Sequence, residues 1–311
     1  MKAIQIKEYG GPETVIVTDQ VVPVPKENQV AIEIHAASIN PFDVKIRSGM
    51  YKESIPLSLP YVPGGDFSGV ITQLGEGVLG LNVGDEIFGS AIVLSGGTGS
   101  FAQFAVANTK TISLKPKKIN FLESASLPLV GSSAIQALEE HINLKKGQKI
   151  LIHGGSGGIG SIAIQLAKYI GAYVATTASS TNTAFVASLG ADKIIDYKNE
   201  KFEEILSDYD AVYDTVGGAT TDNSFKVLKK GGVLVSMIGK PKEELAEKYG
   251  VTVIGQNTHI TTEHLARLSQ LVDALVIKPI VDKVFLLEQA KEAFVYLEKG
   301  SPRGKVVLQI K

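Results

Sequence analysis

The stretch KILIHGGSGGIGSIAIQLAKYIGAYVATT, residues 149–177, decides the fold. Its opening, Lys149-Ile150-Leu151-Ile152-His153, is a short apolar run of strand type that leads directly into glycines. Beyond them Ile159, Ile162, Ala163, Leu166, Ala167 and Ile170 recur with helical spacing, which predicts an amphipathic helix. Tyr173-Val174-Ala175-Thr176-Thr177 returns to strand and completes a βαβ unit. At the strand-to-helix junction Gly155, Gly157 and Gly160 fit G-x-G-x-x-G, with Ser156, Gly158 and Ile159 between them. The three glycines allow a tight turn, close approach of backbone to a pyrophosphate, and tight packing of helix on strand. The helix N-terminus adds unpaired N–H groups and a dipole that favours anions. The expected ligand is therefore a dinucleotide.

Working outward, further strands are predicted at Lys193-Ile194-Ile195, Asp210-Ala211-Val212-Tyr213, Val233-Leu234-Val235-Ser236-Met237 and Val251-Thr252-Val253-Ile254, with helical patterns among them. That order predicts an α/β fold with a doubly wound parallel sheet, assigned to residues 123–278. Upstream the pattern changes. Alternation in Gln29–His35, the β-rich run Phe101–Val106 and turn signals such as Pro63-Gly64-Gly65 and Gly84-Asp85 predict a β-rich domain. Lys305–Ile310 reads as a strand returning to it, so this domain is expected over residues 1–122 and 279–311.

Composition removes whole function classes. Hydrophobic residues at 44% and charged residues at 20% describe an ordinary globular chain of 311 residues. A net charge of -1 offers no diffuse attraction to phosphate polymers or anionic lipid, so neither nucleic acid nor membrane is an expected partner. The absence of cysteine excludes disulfides, thiolate metal ligands and thiol nucleophiles together. The opening MKAIQIKEYGGPETV lacks the features of a secretory signal, and a cytoplasmic location is expected.

The choice of nicotinamide cofactor turns on the end of the second strand of the βαβ unit. An NAD-selective site places Asp or Glu there, which would repel a 2′-phosphate. Here the chain reads Thr176-Thr177-Ala178-Ser179-Ser180-Thr181-Asn182, permissive for NADPH, which is expected over NADH; the same residues also suit a solvated loop. The glycines fit a second class as well, since Gly154-x-x-x-Gly158-Ile159-Gly160 matches short-chain dehydrogenases, and Tyr197-x-x-x-Lys201 has the spacing of their catalytic pair. Position argues against that class, whose glycine motif lies near the N-terminus with the pair far downstream.

A longer ordered set resembles the zinc-independent branch of medium-chain dehydrogenases/reductases, the quinone oxidoreductases of zeta-crystallin type. It comprises ASINPFD (37–43), RSG (47–49), PGGDFSG (63–69), VGDEIFG (83–89), ASLP (125–128), QLAK (165–168), LGAD (189–192), DTVGG (214–218), KGG (230–232) and GKVVL (304–308). The resemblance covers nearly the whole chain and implies a Rossmann domain joined to a β-rich, GroES-like catalytic domain. It also implies a homodimer. Zinc-dependent alcohol dehydrogenases, a sister branch, carry a metal-binding Cys at the position of Asn40 and a Gly-His-Glu where this chain has Gly64-Gly65-Asp66. Both ligands are replaced, and the scattered His35, His141, His153, His259 and His264 do not rebuild the site, so no metal is expected.

Without a Lewis acid, oxidation of a simple alcohol is difficult, and reduction of an activated acceptor is the easier chemistry. The resemblance implies hydride transfer from NADPH to a small electrophile, a quinone or an α,β-unsaturated carbonyl, with enoyl thioesters as a variant. A non-catalytic NADPH-binding protein is the alternative from another class. By family position Asn40 and Tyr51 line the cleft beside the nicotinamide and can orient a carbonyl. Lys45, where many relatives have tyrosine, could supply positive charge or point into water. Asp43 and Arg47, one helical turn apart, suit a local salt bridge. The resemblance further implies cofactor contacts from Tyr197 near the 2′-phosphate, from Ser179 and Val216, and from Asn182, where many relatives carry lysine. It puts Ser133 and Gly239 near the nicotinamide, though each could equally serve packing.

Overall fold

The apolar run of residues 149–152 forms a strand with a parallel neighbour on each side, and its three apolar side chains are fully buried, as in sheets covered on both faces. A computed structural model describes residues 1–311. In chain order the strands are β1 (Lys2–Ile6), β2 (Val15–Asp19), β3 (Gln29–Ile39), β4 (Asp66–Leu74), β5 (Glu86–Ser90), β6 (Phe104–Asn108) and β7 (Ile112–Leu114). Then come β8 (Lys149–Ile152), β9 (Tyr173–Ala178), β10 (Lys193–Asp196), β11 (Tyr209–Asp214), β12 (Leu228–Ser236) and β13 (Thr252–Gly255), and finally β14 (Val281–Leu286) and β15 (Lys305–Gln309).

Two compact units result, one of Met1–Leu129, Ile260–Ala274 and Pro279–Lys311, the other of Val130–His259 and Leu275–Lys278. In the second, all strand pairs are parallel and the order is β10-β9-β8-β11-β12-β13. This is the doubly wound Rossmann arrangement, and the strand order reverses beside β8, where ligands bind at the carboxyl ends of such strands. The predicted helix forms over Gly158–Ile170 and ends at Gly171, whose φ of +92° favours glycine. Leu151, Ala175, Val212 and Leu234 carry one apolar cluster through the sheet. Each leucine or valine so buried contributes about 1.5–3 kcal/mol.

The first unit is β-rich and GroES-like in kind, with a sheet of order β14-β15-β3-β4-β5-β7 and β6 also paired to β3. The C-terminal strand returns as the sequence predicts: β15 runs antiparallel to β3, with Val306 opposite Ile39 and Val307 opposite Ser38. On the other side of β3, β4 sets Phe67 opposite Ala37. These two registers bring Lys305, Asn40 and Asp66, far apart in sequence, to one end of three neighbouring strands.

The helix Thr262–Asp273, which the sequence pattern assigns to the dinucleotide-binding segment, groups instead with the β-rich unit. Hydrogen bonds fix it there. Thr262 Oγ1 donates to Thr109 O, Ser269 Oγ to Leu114 O, and the Lys118 amide to Asp273. No helix is long and apolar enough to cross a membrane.

Candidate functional site

In the Rossmann unit the glycine turn is closely packed by neighbouring atoms. A Cβ on Gly155 would stand 2.1 Å from Thr176 Oγ1, and one on Gly160 would stand 2.2 Å from Gly154 O, so neither position admits a side chain. Over Gly157 the nearest atom to such a Cβ is Gly154 O at 3.4 Å, which leaves its outer face clear. Gly157 is also the N-cap and supplies no side-chain cap, so the first N–H groups of the helix, from Gly158 on, have no side-chain partner. The residues present fit a pyrophosphate.

The threonines at the end of β9 are structural, not part of a solvated loop. Thr176 Oγ1 donates to Ile152 O at 2.7 Å, while Thr177 Oγ1 accepts from the Gly154 amide at 3.2 Å and lies 3.1 Å from His153 Nδ1. His153 is fully buried, its Nε2 is 3.0 Å from Ser224 Oγ, and burial pushes its pKa down to about 4. It is a satisfied core histidine. Beyond β9, Asn182 is 7% exposed and its Nδ2 donates to Ser156 Oγ at 3.2 Å, latching the Ser179–Asn182 segment to the glycine turn. Ser179 Oγ pairs with Thr181 Oγ1, and the exposed Tyr197 begins where its amide donates to Ala178 O. Ser156, Ser179, Asn182 and Tyr197 thus gather at the end of β9 with no carboxylate between Thr176 and Asn182.

At the end of β11 the buried Asp214 carboxylate accepts from the Val216 and Gly217 amides and from Thr221 Oγ1. It fixes a loop on which the Val216 side chain stays exposed. Gly239, in the loop after β12, has φ +82° and open space where a Cβ would be. Ser133 is fully buried, with Oγ 2.8 Å from Thr258 Oγ1 and its carbonyl accepting from Tyr213 and Gln256. In the sequence Asp214 appears only as the first residue of the DTVGG stretch, which carries the family resemblance but does not show the loop-fixing role.

In the β-rich unit the register of β15, β3 and β4 assembles a buried polar cluster. Lys305 Nζ donates to Ile39 O at 3.0 Å and to Asn40 Oδ1, and lies 3.5 Å from Asp66 Oδ2. Asn40 Nδ2 donates to Asp66 Oδ2 at 2.9 Å, joined by Ser38 Oγ at 3.2 Å, while the Leu129 amide donates to Oδ1 at 3.1 Å. Burial pushes the Asp66 carboxyl up and the Lys305 ammonium down, and their mutual attraction opposes both shifts. In the sequence Asp66 stands out as a replaced ligand position and, like Lys305, as part of a stretch that carries the family resemblance, but nothing there pairs the two.

The cluster also answers whether a zinc ion fits here. The donors at the sister branch's ligand positions are an amide, a glycine and a carboxylate, and the Lys305 ammonium already occupies the amide oxygen and faces the carboxylate. No group of three or more His, Cys, Asp or Glu side chains is placed to hold a metal ion. The residues do not fit zinc.

Asp43 and Arg47 do not pair. Asp43 sits at the third position of the helix Pro41–Arg47 and accepts from the Asn40 amide at 2.8 Å, a capping box that engages its carboxyl at the wrong end for Arg47. The Arg47 guanidinium, 2% exposed, lies 5.1 Å over the Phe294 ring and pairs with Glu298 instead. Beside this helix is a small cleft walled by Phe42, Ile46, Leu57, Ile92 and Val93, with Asp43 and Tyr61 as its titratable groups. Burial pushes the Asp43 carboxyl up to about 7, with the charge of Asp66 adding to the shift and the Asn40 amide and Lys305 opposing it. The Tyr61 hydroxyl is buried without a partner. Tyr51 stacks near Phe42, ring centroids 6.0 Å apart, and no protein group bonds its hydroxyl. Lys45 is half-buried on the same helix and pairs with no carboxylate.

Residues 26–117 match the family model described as "Alcohol dehydrogenase GroES-like domain", and residues 189–308 match "Zinc-binding dehydrogenase". The chain is 38% identical to a "2-methylene-furan-3-one reductase" of Solanum lycopersicum, over 99% of this chain and 79% of that one. The chain belongs to the medium-chain dehydrogenase/reductase family. Within it, the Arabidopsis thaliana "NADPH-dependent alkenal/one oxidoreductase, chloroplastic" is 37% identical over 99% of this chain and 79% of its own length. The structure of the quinone oxidoreductase from Coxiella burnetii superposes with a TM-score of 0.91 at 36% identity, covering 100% of this chain and 99% of that one. Like these family members, the chain is an oxidoreductase.

Proposed function

We propose that the protein is an NADPH-dependent, zinc-independent reductase that transfers hydride to quinones or to the β-carbon of α,β-unsaturated carbonyls. The observation that carries this reading is a glycine turn with room for a pyrophosphate, and in the β-rich unit a buried cluster in which Lys305 engages Asn40 and faces Asp66 at the positions where the sister branch holds metal. The relatives' names, an alkenal/one oxidoreductase and a furanone reductase, support the same acceptor class. When bound, the cofactor supplies the hydride. The residues of this chain do the rest. Gly155, Ser156, Gly157, Gly158, Ile159 and Gly160 hold the pyrophosphate; Ser179, Asn182 and Tyr197 offer neutral donors to the 2′-phosphate; Val216 and Gly239 leave backbone accessible at the strand ends.

On the acceptor side, Asn40 and Tyr51 orient the carbonyl. Asn40 has both ends of its amide engaged by Lys305 and Asp66, so its one remaining N–H points in a fixed direction. Tyr51 offers an uncommitted phenol, and Lys45 an unpaired positive charge. The reading includes a homodimer, an expectation carried by the family resemblance.

The test is oxidation of NADPH and of NADH, followed by loss of nicotinamide absorbance, against a panel of para-quinones, 2-alkenals, enones and enoyl thioesters. Turnover of at least one acceptor with a higher kcat/KM for NADPH than NADH is expected. Tight NADPH binding without turnover of any acceptor would instead make this a cofactor-binding protein.

A further inference from the structure

We infer that Asn182 is a positioning residue for the cofactor: its side-chain amide holds the Ser156 hydroxyl as a ready donor to the pyrophosphate, and so supports binding with or without a 2′-phosphate. This rests on the dinucleotide site proposed above and deepens it. Asparagine is favoured at a helix N-cap because its side-chain oxygen accepts an amide of the first turn. Asn182 occupies that position before the helix Thr183–Ser188, yet it makes no such bond. Its Nδ2 instead donates to Ser156 Oγ at 3.2 Å, across 26 residues of chain. Asn182 is buried, so water competes little for this bond.

The direction of the bond decides what Ser156 can do. An amide N–H only donates, so Ser156 Oγ accepts, and a serine hydroxyl keeps one hydrogen of its own to give. No protein acceptor takes that hydrogen. Ser156 lies between Gly155 and Gly157, just before the helix Gly158–Ile170, whose first N–H groups lack a side-chain partner. A hydroxyl already restrained beside those N–H groups meets phosphate oxygens at a reduced ordering cost, and hydrogen bonds to a charged acceptor are among the stronger ones.

Both partners are anchored. The Asn182 backbone amide donates to Ser179 O at 2.8 Å, closing the turn Ser180–Asn182. Across from it the Gly155 amide donates to Thr177 O at 3.1 Å and the Gly154 amide to Thr177 Oγ1 at 3.2 Å. Of these ties between the end of β9 and the glycine turn, the Asn182 bond is the one that reaches a side chain of the turn. The residue that the family resemblance sets beside the 2′-phosphate thus acts on the pyrophosphate as well.

The test is a fluorescence titration of Ser156→Ala, Asn182→Ala and the double variant with NADH and with NADPH. NADH lacks the 2′-phosphate, so its Kd reports the effect of Asn182 without any contact to that group. Ser156→Ala should raise the NADH Kd about tenfold, the worth of a hydrogen bond to a charged group, and Asn182→Ala about fivefold. The double variant should bind NADH within about twofold of Ser156→Ala, because Asn182 then has nothing to act on. A loop merely loosened by Asn182→Ala would cost the same with Ser156 present or absent, and that result would overturn the inference. An unchanged NADH Kd in Asn182→Ala, or a loss confined to NADPH, would do so too. The NADPH series should show the same coupling, and additive losses there would count equally against it. Wild-type protein that binds neither cofactor would overturn the dinucleotide site itself, a result distinct from these.

Discussion

Gly160→Val is expected to raise the Kd for NADPH by at least about a hundredfold, equivalent to roughly 2.7 kcal/mol, and to destabilise the Rossmann unit. A Cβ at this position would meet Gly154 O at 2.2 Å and Gly155 Cα at 2.8 Å, both backbone atoms that no rotamer change can move. Relief requires the helix Gly158–Ile170 to lift from β8, and overpacking of this kind costs about 1–3 kcal/mol. The same lift displaces the N–H groups aimed at the pyrophosphate. Gly157→Ala separates the two effects, since its methyl finds only Gly154 O at 3.4 Å within the protein. That variant should melt close to wild type and still lose NADPH affinity, because the methyl stands where the phosphates approach. Fluorescence titration and thermal melting decide it; wild-type affinity in both variants would mean that the cofactor does not lie on this turn.

Lys305→Met should cost about 3–5 kcal/mol of stability at neutral pH, the penalty for leaving a buried carboxylate without its cation. Asp66 is 1% exposed and Lys305 5%, so solvent cannot replace the lost partner. The Asn40 Oδ1 atom loses its donor as well. The burial that pushes Asp66 upward lets it take up a proton more readily once Lys305 is gone, so the gap from wild type should narrow as pH falls. Adding Asp66→Leu to Lys305→Met should recover much of the loss, since an apolar pair in place of a buried ion pair is often neutral or stabilising. Urea unfolding at two pH values measures both effects. A single variant within about 1 kcal/mol of wild type at neutral pH would show that no ion pair is lost.

These two sites differ in how well the sequence announces them. The glycine turn is legible because every part of it is local: an apolar strand, glycines at fixed offsets and a helix of matching period lie within residues 149–177. Lys305, Asp66 and Asn40 meet only through the registers of β15 and β4 on β3, and no local pattern reports a register. Asp43 and Arg47 illustrate the converse. Their spacing suits a helical ion pair, yet the helix's own N-cap amide claims the carboxyl, and Glu298, distant in sequence, claims the guanidinium. Thr176 and Thr177 fall where the strand reading and the loop reading overlap, because the sequence gives no sign of where β9 ends. In the fold it runs to Ala178 and turns both hydroxyls onto the β8 end. The helix Thr262–Asp273 shows no sequence boundary that separates it from the Rossmann segment before it, and only its bonds to Thr109, Leu114 and Lys118 assign it to the β-rich unit.

The most direct test of metal-free reduction is NADPH oxidation by an enone after exhaustive dialysis against a metal chelator, with metal content measured in the same sample. Undiminished turnover at negligible zinc content is expected, with Lys305 supplying the fixed charge beside Asn40 and Asp66. Activity lost on chelation and restored by added zinc would contradict it.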